Sequence, residues 1–185
     1  MLPPVTPDLH ALVALFYAEP QRLGRFHQVM AEQMPADYRT LLAHEAHMTV
    51  TVEAFHDCRV DVKVCDRRTD EQLYARKILL TRQRDGQVVQ FGIMRINFSY
   101  LEPEVQSEIQ REATPLGRIL IEHNVLRRVR LAHLWQVSPG EDLVSLFGLS
   151  EPRLTFGRTA MIECNGEPAV ELLEIVTPVG APQNS

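Results

Sequence analysis

The sequence predicts a single α+β domain, an antiparallel sheet of about six strands with helices packed on one face. Three observations carry that expectation. Helical spacing crowds the first quarter of the chain, the apolar period drops to two after Asp57, and the alternating runs are joined by short Asp-Gly and Asn-Gly turns. Short hairpin connections favour antiparallel pairing, because parallel strands need a crossover of a dozen or more residues.

The elements follow in chain order. Pro7-Asp8 opens an amphipathic helix in which Leu9, Leu12, Val13, Leu15 and Phe16 recur at helical spacing until Glu19-Pro20. A second helical stretch is expected over 21–33, and Pro35-Ala36-Asp37 starts a third through Leu42. Met48 to Phe55 alternates and is rich in β-branched residues, so its pattern alone predicts a strand. Val60, Val62 and Val64 begin the sheet, followed by an expected polar turn from Asp66 to Asp70. Strands over 73–82 and 88–97 flank Asp85-Gly86. Glu102-Pro103 and Thr114-Pro115 each start a helix, and Asn124 ends the second. Strand character returns over 126–137, 154–164 and 169–176, the last two joined at Asn165-Gly166, with a short helical excursion over 139–148. No repeat or linker divides the chain, so residues 1–180 are expected as one domain, with 181–185 as a flexible tail.

Composition excludes several functional classes. Lys+Arg 19 against Asp+Glu 24 gives a net charge of −5, without the basic excess of a nucleic-acid binder. No apolar run approaches the roughly 20 residues of a spanning helix, and the start of the chain lacks the pattern of a secretory signal, so a soluble, cytoplasmic protein is expected. Cys58, Cys65 and Cys164 show no C-x-x-C spacing, which predicts reduced, mostly buried thiols. His44-Glu45-Ala46-His47 lacks the i, i+4 histidine spacing that places two metal ligands on one helical face, and no glycine-rich phosphate loop or nucleophile elbow occurs. No metal or organic cofactor is expected.

Charge on apolar strands is the remaining signal. Arg76 shares a strand face with Tyr74, Ile78 and Leu80, and Glu174 shares one with Val170, Leu172 and Val176. A charge in such a place costs several kcal/mol unless it is paired, hydrogen-bonded or liganded. Arg76 and Glu174 could neutralise each other. Alternatively Arg76, Arg128, Arg158 and Glu174 could converge on a small anionic ligand, since arginine grips a carboxylate bidentately and keeps its charge. Arg128 and Arg158 could equally face solvent.

At these residues the chain resembles the chorismate pyruvate-lyase (4-hydroxybenzoate synthase) family. The resemblance runs from about Met48 to Pro178 as an ordered series of short matches: Met48-Thr49, Tyr74 to Leu80, Thr114-Pro115-Leu116-Gly117-Arg118, Leu126 with Arg128, Gly157-Arg158, Gly166-Glu167-Pro168, and Glu174 with Pro178. It implies a chorismate lyase-like fold, six antiparallel strands with helices on one side and an internal pocket under helical flaps. It also implies a helix after Met48-Thr49, against the local pattern. The activity implied is elimination of pyruvate from chorismate to give 4-hydroxybenzoate or a related isomer, without a cofactor. Arg76 would then hold the ring carboxylate with the backbone N–H groups of Met48 and Leu116, and Glu174 would contact the 4-hydroxyl as the candidate acid-base group. Aromatisation would drive the reaction, leaving orientation and charge complementarity to the protein.

The chain departs from the family where Gly92-Ile93-Met94 stands for Gly-Arg-Thr, with Arg95 in the opposite register from Met94. The stretch from Gly166 to Glu174 is one residue longer, which leaves Glu171 as an alternative to Glu174. The same fold also serves as the effector domain of certain transcription regulators, so a non-catalytic binder of small aromatic carboxylates is the alternative function. No helix-turn-helix pattern precedes the domain, which favours a stand-alone enzyme. A third possibility is a structural protein in which Arg76 and Glu174 merely pair.

Overall fold

Period-two patterning dominates the chain after residue 59, and the computed structural model, which describes residues 5–70 and 73–180, folds that region into one antiparallel sheet. Seven strands form it rather than six: β1 (Gly24–Val29), β2 (Val60–Thr69), β3 (Leu73–Arg82), β4 (Val88–Asn97), β5 (Arg127–Pro139), β6 (Thr155–Cys164) and β7 (Glu167–Val176). Their order is β1-β5-β6-β7-β4-β3-β2, with every neighbouring pair antiparallel. The two turns anticipated from Asp-Gly and Asn-Gly join β3 to β4 and β6 to β7, with Gly86 at φ 70° and Gly166 at φ 88°. The expected flexible tail, 181–185, lies outside the described residues.

Strand β1 is the extra member, and it occupies part of the stretch expected to be helical. Leu23, Phe26 and Met30 are spaced three and four apart, which mimics a helix. The chain instead makes a 3₁₀ turn at Pro20–Arg22, pairs β1 with β5 from Gly24↔Pro139 to Val29↔Leu134, and makes a second 3₁₀ turn at Ala31–Gln33. At the opposite edge β2 runs on to Thr69, where a polar turn was expected, with its register shifting between Val64 and Asp66. An edge strand tolerates that polar sequence because one side has no sheet neighbour and the charged side chains remain solvated.

Helices α2 (Ala36–Leu42), α3 (Met48–His56), α4 (Pro103–Gln110) and α5 (Leu116–Glu122) lie over one face. The β-branched run at 49–52 is helical because Met48, Thr49 and Val52 fall on one side of a turn and are all buried. Burying Met48 and Val52 contributes roughly 1.5–3 kcal/mol each, more than the few tenths that helix propensity withholds. Asp57, left-handed at φ 46°, ends α3, and Glu53 accepts the Val60 N–H at 3.0 Å, which aims the chain into β2. Helix α1 (Leu9–Ala14) starts at Asp8, whose carboxylate accepts from His10 and Ala11 N–H, and stops short of the Glu19-Pro20 end expected from the sequence. With α6 (Glu141–Leu146) it joins a smaller cluster that contains Phe91, Ile93, Leu173 and Ile175 from alternate positions of β4 and β7. Both faces of the central strands are therefore covered, with the larger layer over the Arg76 and Glu174 face.

The three cysteines are free thiols, but only Cys164 is buried; Cys58 is half-buried and Cys65 exposed. Among the described residues no helix is long and apolar enough to cross a membrane.

Candidate functional site

Between the sheet and its larger helical layer lies a small, closely packed cavity. Its floor is mostly apolar: Ile78 and Leu80 from β3, Met94 from β4, Val129 from β5, Ile162 from β6 and Leu172 from β7. Three polar side chains interrupt that floor, Gln90, Arg158 and Glu174. The roof is made by the first residues of two helices, Met48-Thr49 of α3 and Leu116-Gly117 of α5, with His47 and Pro115 before them. Neither helix start has a side-chain cap. First-turn N–H groups have no intrahelical partner, so both starts offer donors beside the cavity.

The Thr114 to Arg118 segment builds half of this roof. Pro115 suits a helix entry because it presets the backbone and needs no donor. A Cβ at Gly117 would stand 3.1 Å from Thr49 Oγ1 and 3.2 Å from His47 Cβ, so glycine lets the two helix starts approach. Arg118 then ion-pairs with Glu53, tying α5 to α3.

Arg158 and Glu174 face each other across β6 and β7. Arg158 Nε donates to Glu174 Oε2 at 2.7 Å. The same guanidinium donates from Nη1 to the His44 carbonyl at 2.8 Å and from Nη2 to the Ala46 carbonyl at 3.0 Å. It thereby clamps the loop between α2 and α3, the segment that delivers His47 to the cavity. His44 completes the clamp: its Nε2 donates to the Leu41 carbonyl at 2.7 Å and its Nδ1 accepts the Ala46 N–H at 3.1 Å. That tautomer is neutral, and burial followed by the nearby Arg158 charge lowers the His44 pKa.

Arg76 and Glu174 do not pair, since Glu174 is taken by Arg158. Arg76 is completely buried, yet its bonds are sparse: Nε to Met94 Sδ at 3.3 Å and Nη1 to the Ile109 carbonyl at 3.4 Å, with Nη2 lacking any partner. Burial pushes its pKa down, with Tyr74 and Glu112 acting the other way. Tyr74 donates to Glu112 at 2.7 Å, and the tyrosine pKa is pushed up to about 12 by burial and that bond. Arg76 does not line the cavity. Met94 does, so the guanidinium stops one side chain short of it.

Of the residues singled out in the sequence, Met48, Leu116, Arg158 and Glu174 line one cavity and Arg76 adjoins it. Arg128 is exposed and belongs to an open groove outside. Its neighbour Arg127 takes the inward register, donating from Nε to His47 Nε2 at 2.9 Å. His47 is thereby held neutral, its pKa lowered to about 4 by burial, then Arg127, then Arg158. Arg95 lies on the opposite face from Met94 and pairs with Glu171 at 2.6 Å, which removes both from the cavity. Gln90 was not singled out from the sequence, and His47 was weighed there only as a metal ligand. Gln90 carried a weak signal, a lone amide in the apolar run from Val88 to Ile93. Among the described residues no cluster of three or more His, Cys, Asp or Glu could hold a metal ion.

The sequence matches no protein-family model and no curated protein. Its likeness is to solved structures. PhnF from Mycobacterium smegmatis superposes with a TM-score of 0.56 at 12% identity, over 75% of this chain and 67% of that one. The effector domain of the same protein gives 0.52 at 11% identity, over 75% of this chain and 93% of that domain. The ligand-binding domain of a putative GntR-family transcriptional regulator from Bordetella bronchiseptica gives 0.51 at 10%, over 68% and 90%. At these identities the likeness establishes the fold, which is chorismate lyase-like.

Proposed function

We propose that this chain is a small-molecule-binding domain whose internal cavity takes a compact aromatic carboxylate, bound without being transformed. The observation that carries the proposal is Arg76, a fully buried guanidinium with one nitrogen unpartnered, one side chain away from a cavity roofed by two uncapped helix starts. An unpaired buried cation is costly, and an anion in the cavity offsets that cost. Apolar walls suit a flat ring, and a shift of Met94 would both widen the small cavity and bring Arg76 into contact with the carboxylate. The solved structures described as effector and ligand-binding domains support the same reading.

Elimination of pyruvate from chorismate is the second reading, favoured by Glu174 lining the same cavity. It would require Glu174 to exchange its 2.7 Å bond to Arg158 for the substrate. One experiment separates the two. The purified protein is titrated calorimetrically with 4-hydroxybenzoate and, separately, incubated with chorismate while pyruvate is measured. Saturable binding that Arg76→Met weakens at least tenfold, without pyruvate release, is the expected result. Pyruvate release above the uncatalysed background, lost in Glu174→Gln, would establish the lyase instead. Neither binding nor turnover would remove both.

A further inference from the structure

Gln90 has no place in the scheme so far. Its side chain is 2% exposed, lines the cavity, and leaves Oε1 without a hydrogen-bond partner. Burying an amide acceptor unpaired is unfavourable, and a strand flanked by Val89 and Phe91 could carry a methionine or leucine of similar volume there. Its position is informative. Gln90 pairs with Val176 across β4 and β7, two residues along from the Gly92↔Glu174 pair, so Gln90 and Glu174 are diagonal neighbours on one sheet face. Two acceptors therefore gather at one end of the floor, while Met94 and Arg76 stand at the other, Arg76 opposite Met94 across β3 and β4. Gly92 lies between them on β4, with the Ile78 side chain from β3 packed over it as part of the floor.

We propose that Gln90 is a specificity determinant that accepts a hydrogen bond from a donor group on the ligand, so that the cavity selects a hydroxylated or aminated aromatic carboxylate over the unsubstituted acid. The inference rests on the binding reading above and adds the second functional group of the ligand. A ligand with a donor satisfies Oε1; one without it leaves the amide buried and unmet, at a cost comparable to a lost hydrogen bond. Such a difference corresponds to roughly 5- to 100-fold in affinity.

The test titrates wild type and Gln90→Met with benzoate, 3-hydroxybenzoate and 4-hydroxybenzoate, and melts both proteins free of ligand. Wild type is expected to bind at least one hydroxybenzoate about 5-fold or more tighter than benzoate, and the variant to bring that ratio close to 1. The free variant is expected to melt about 2 °C or more higher, because an unmet acceptor has been replaced by an apolar chain of similar size. If the carboxylates bind but the ratio is the same in both proteins, Gln90 does not read the donor. If none of the three binds wild type, the aromatic-carboxylate reading falls on its own, and the melts decide for Gln90. A variant that is then no more stable than wild type would show that the amide is satisfied within the fold, overturning the inference.

Discussion

Arg76 and Arg158 are both completely buried on the same sheet face, yet their surroundings are opposite. Arg158 has a carboxylate at 2.7 Å and two loop carbonyls at 2.8 and 3.0 Å, one on each terminal nitrogen. Arg76 has a thioether sulfur, one distant carbonyl and an unpartnered nitrogen. Arg158 is thus part of the scaffold, holding the α2–α3 loop against the sheet so that His47 and Met48 meet the cavity. Arg76 is held in reserve. Among the described residues no carboxylate lies within ion-pairing distance of it, Tyr74 and Glu112 compensating its charge only in part, which is a condition under which an incoming anion gains.

Breaking Arg158 should therefore do the most damage. Arg158→Leu leaves Glu174 buried without its cation and frees two loop carbonyls, at an expected cost of about 3–5 kcal/mol in chemical denaturation. A loss below about 1 kcal/mol would mean that the clamp is not structural. Arg76→Met should behave differently. Ligand-free stability is expected to change by no more than about 1 kcal/mol, in either direction, because the side chain gives up little bonding and a desolvation penalty disappears with it. Destabilisation equal to that of Arg158→Leu would erase the distinction between the two arginines.

His47 sharpens the comparison through pH. Its folded pKa of about 4 lies below its ordinary 6.5, so the unfolded chain takes up the proton first as pH falls. The folded state should lose stability on acidification between about pH 6.5 and about pH 4, with no further loss from this group below that, and His47→Gln should flatten the slope. Burial is the main cause, and Arg127 and Arg158 add to it. Arg76 does not contribute. An NMR titration of the His47 ring should show its pKa rising in Arg158→Leu and staying unchanged in Arg76→Met. Equal shifts in both variants would contradict the geometry.

The difference between the arginines was only partly legible in the sequence. Alternation placed Arg76 and Glu174 on inward faces but left Arg158 equally able to face solvent, and the turns at Gly86 and Gly166 set which strands are hairpin partners. What alternation cannot supply is register between strands distant in sequence. Nor does it show irregularity within a hairpin: pairing Glu174 with Arg158 depends on the register shift between Ile162 and Glu163, while the position of Arg76 depends on β4 lying between β3 and β7. Arg128 illustrates a related limit: a shift of one residue exchanges inside for outside, and Arg127 took the inward position. Strand β1 escaped notice because its apolar residues fit a helical period, and its partner β5 lies more than a hundred residues away. The loop carbonyls that saturate Arg158 carry no side-chain signature at all.

The smallest expected loss of stability lies between the two arginines, at Gly92. A Cβ there would stand 3.2 Å from Ile78 Cγ1 and 3.6 Å from the Leu173 carbonyl, tight against a side chain rather than against backbone. Ile78 can yield by a few tenths of an ångström, so Gly92→Ala should change stability by no more than about 1 kcal/mol, the lost flexibility of the unfolded chain partly offsetting the strain. The added methyl group nevertheless presses on Ile78, whose side chain lines the cavity floor. Affinity for 4-hydroxybenzoate should fall by about 10-fold or more, since a compact cavity absorbs an extra methyl group poorly. The pairing of large binding loss with small stability loss is what a ligand site predicts. If Gly92→Ala binds as tightly as wild type, the ligand does not span the floor, and Arg76 and Gln90 cannot be reading opposite ends of one molecule.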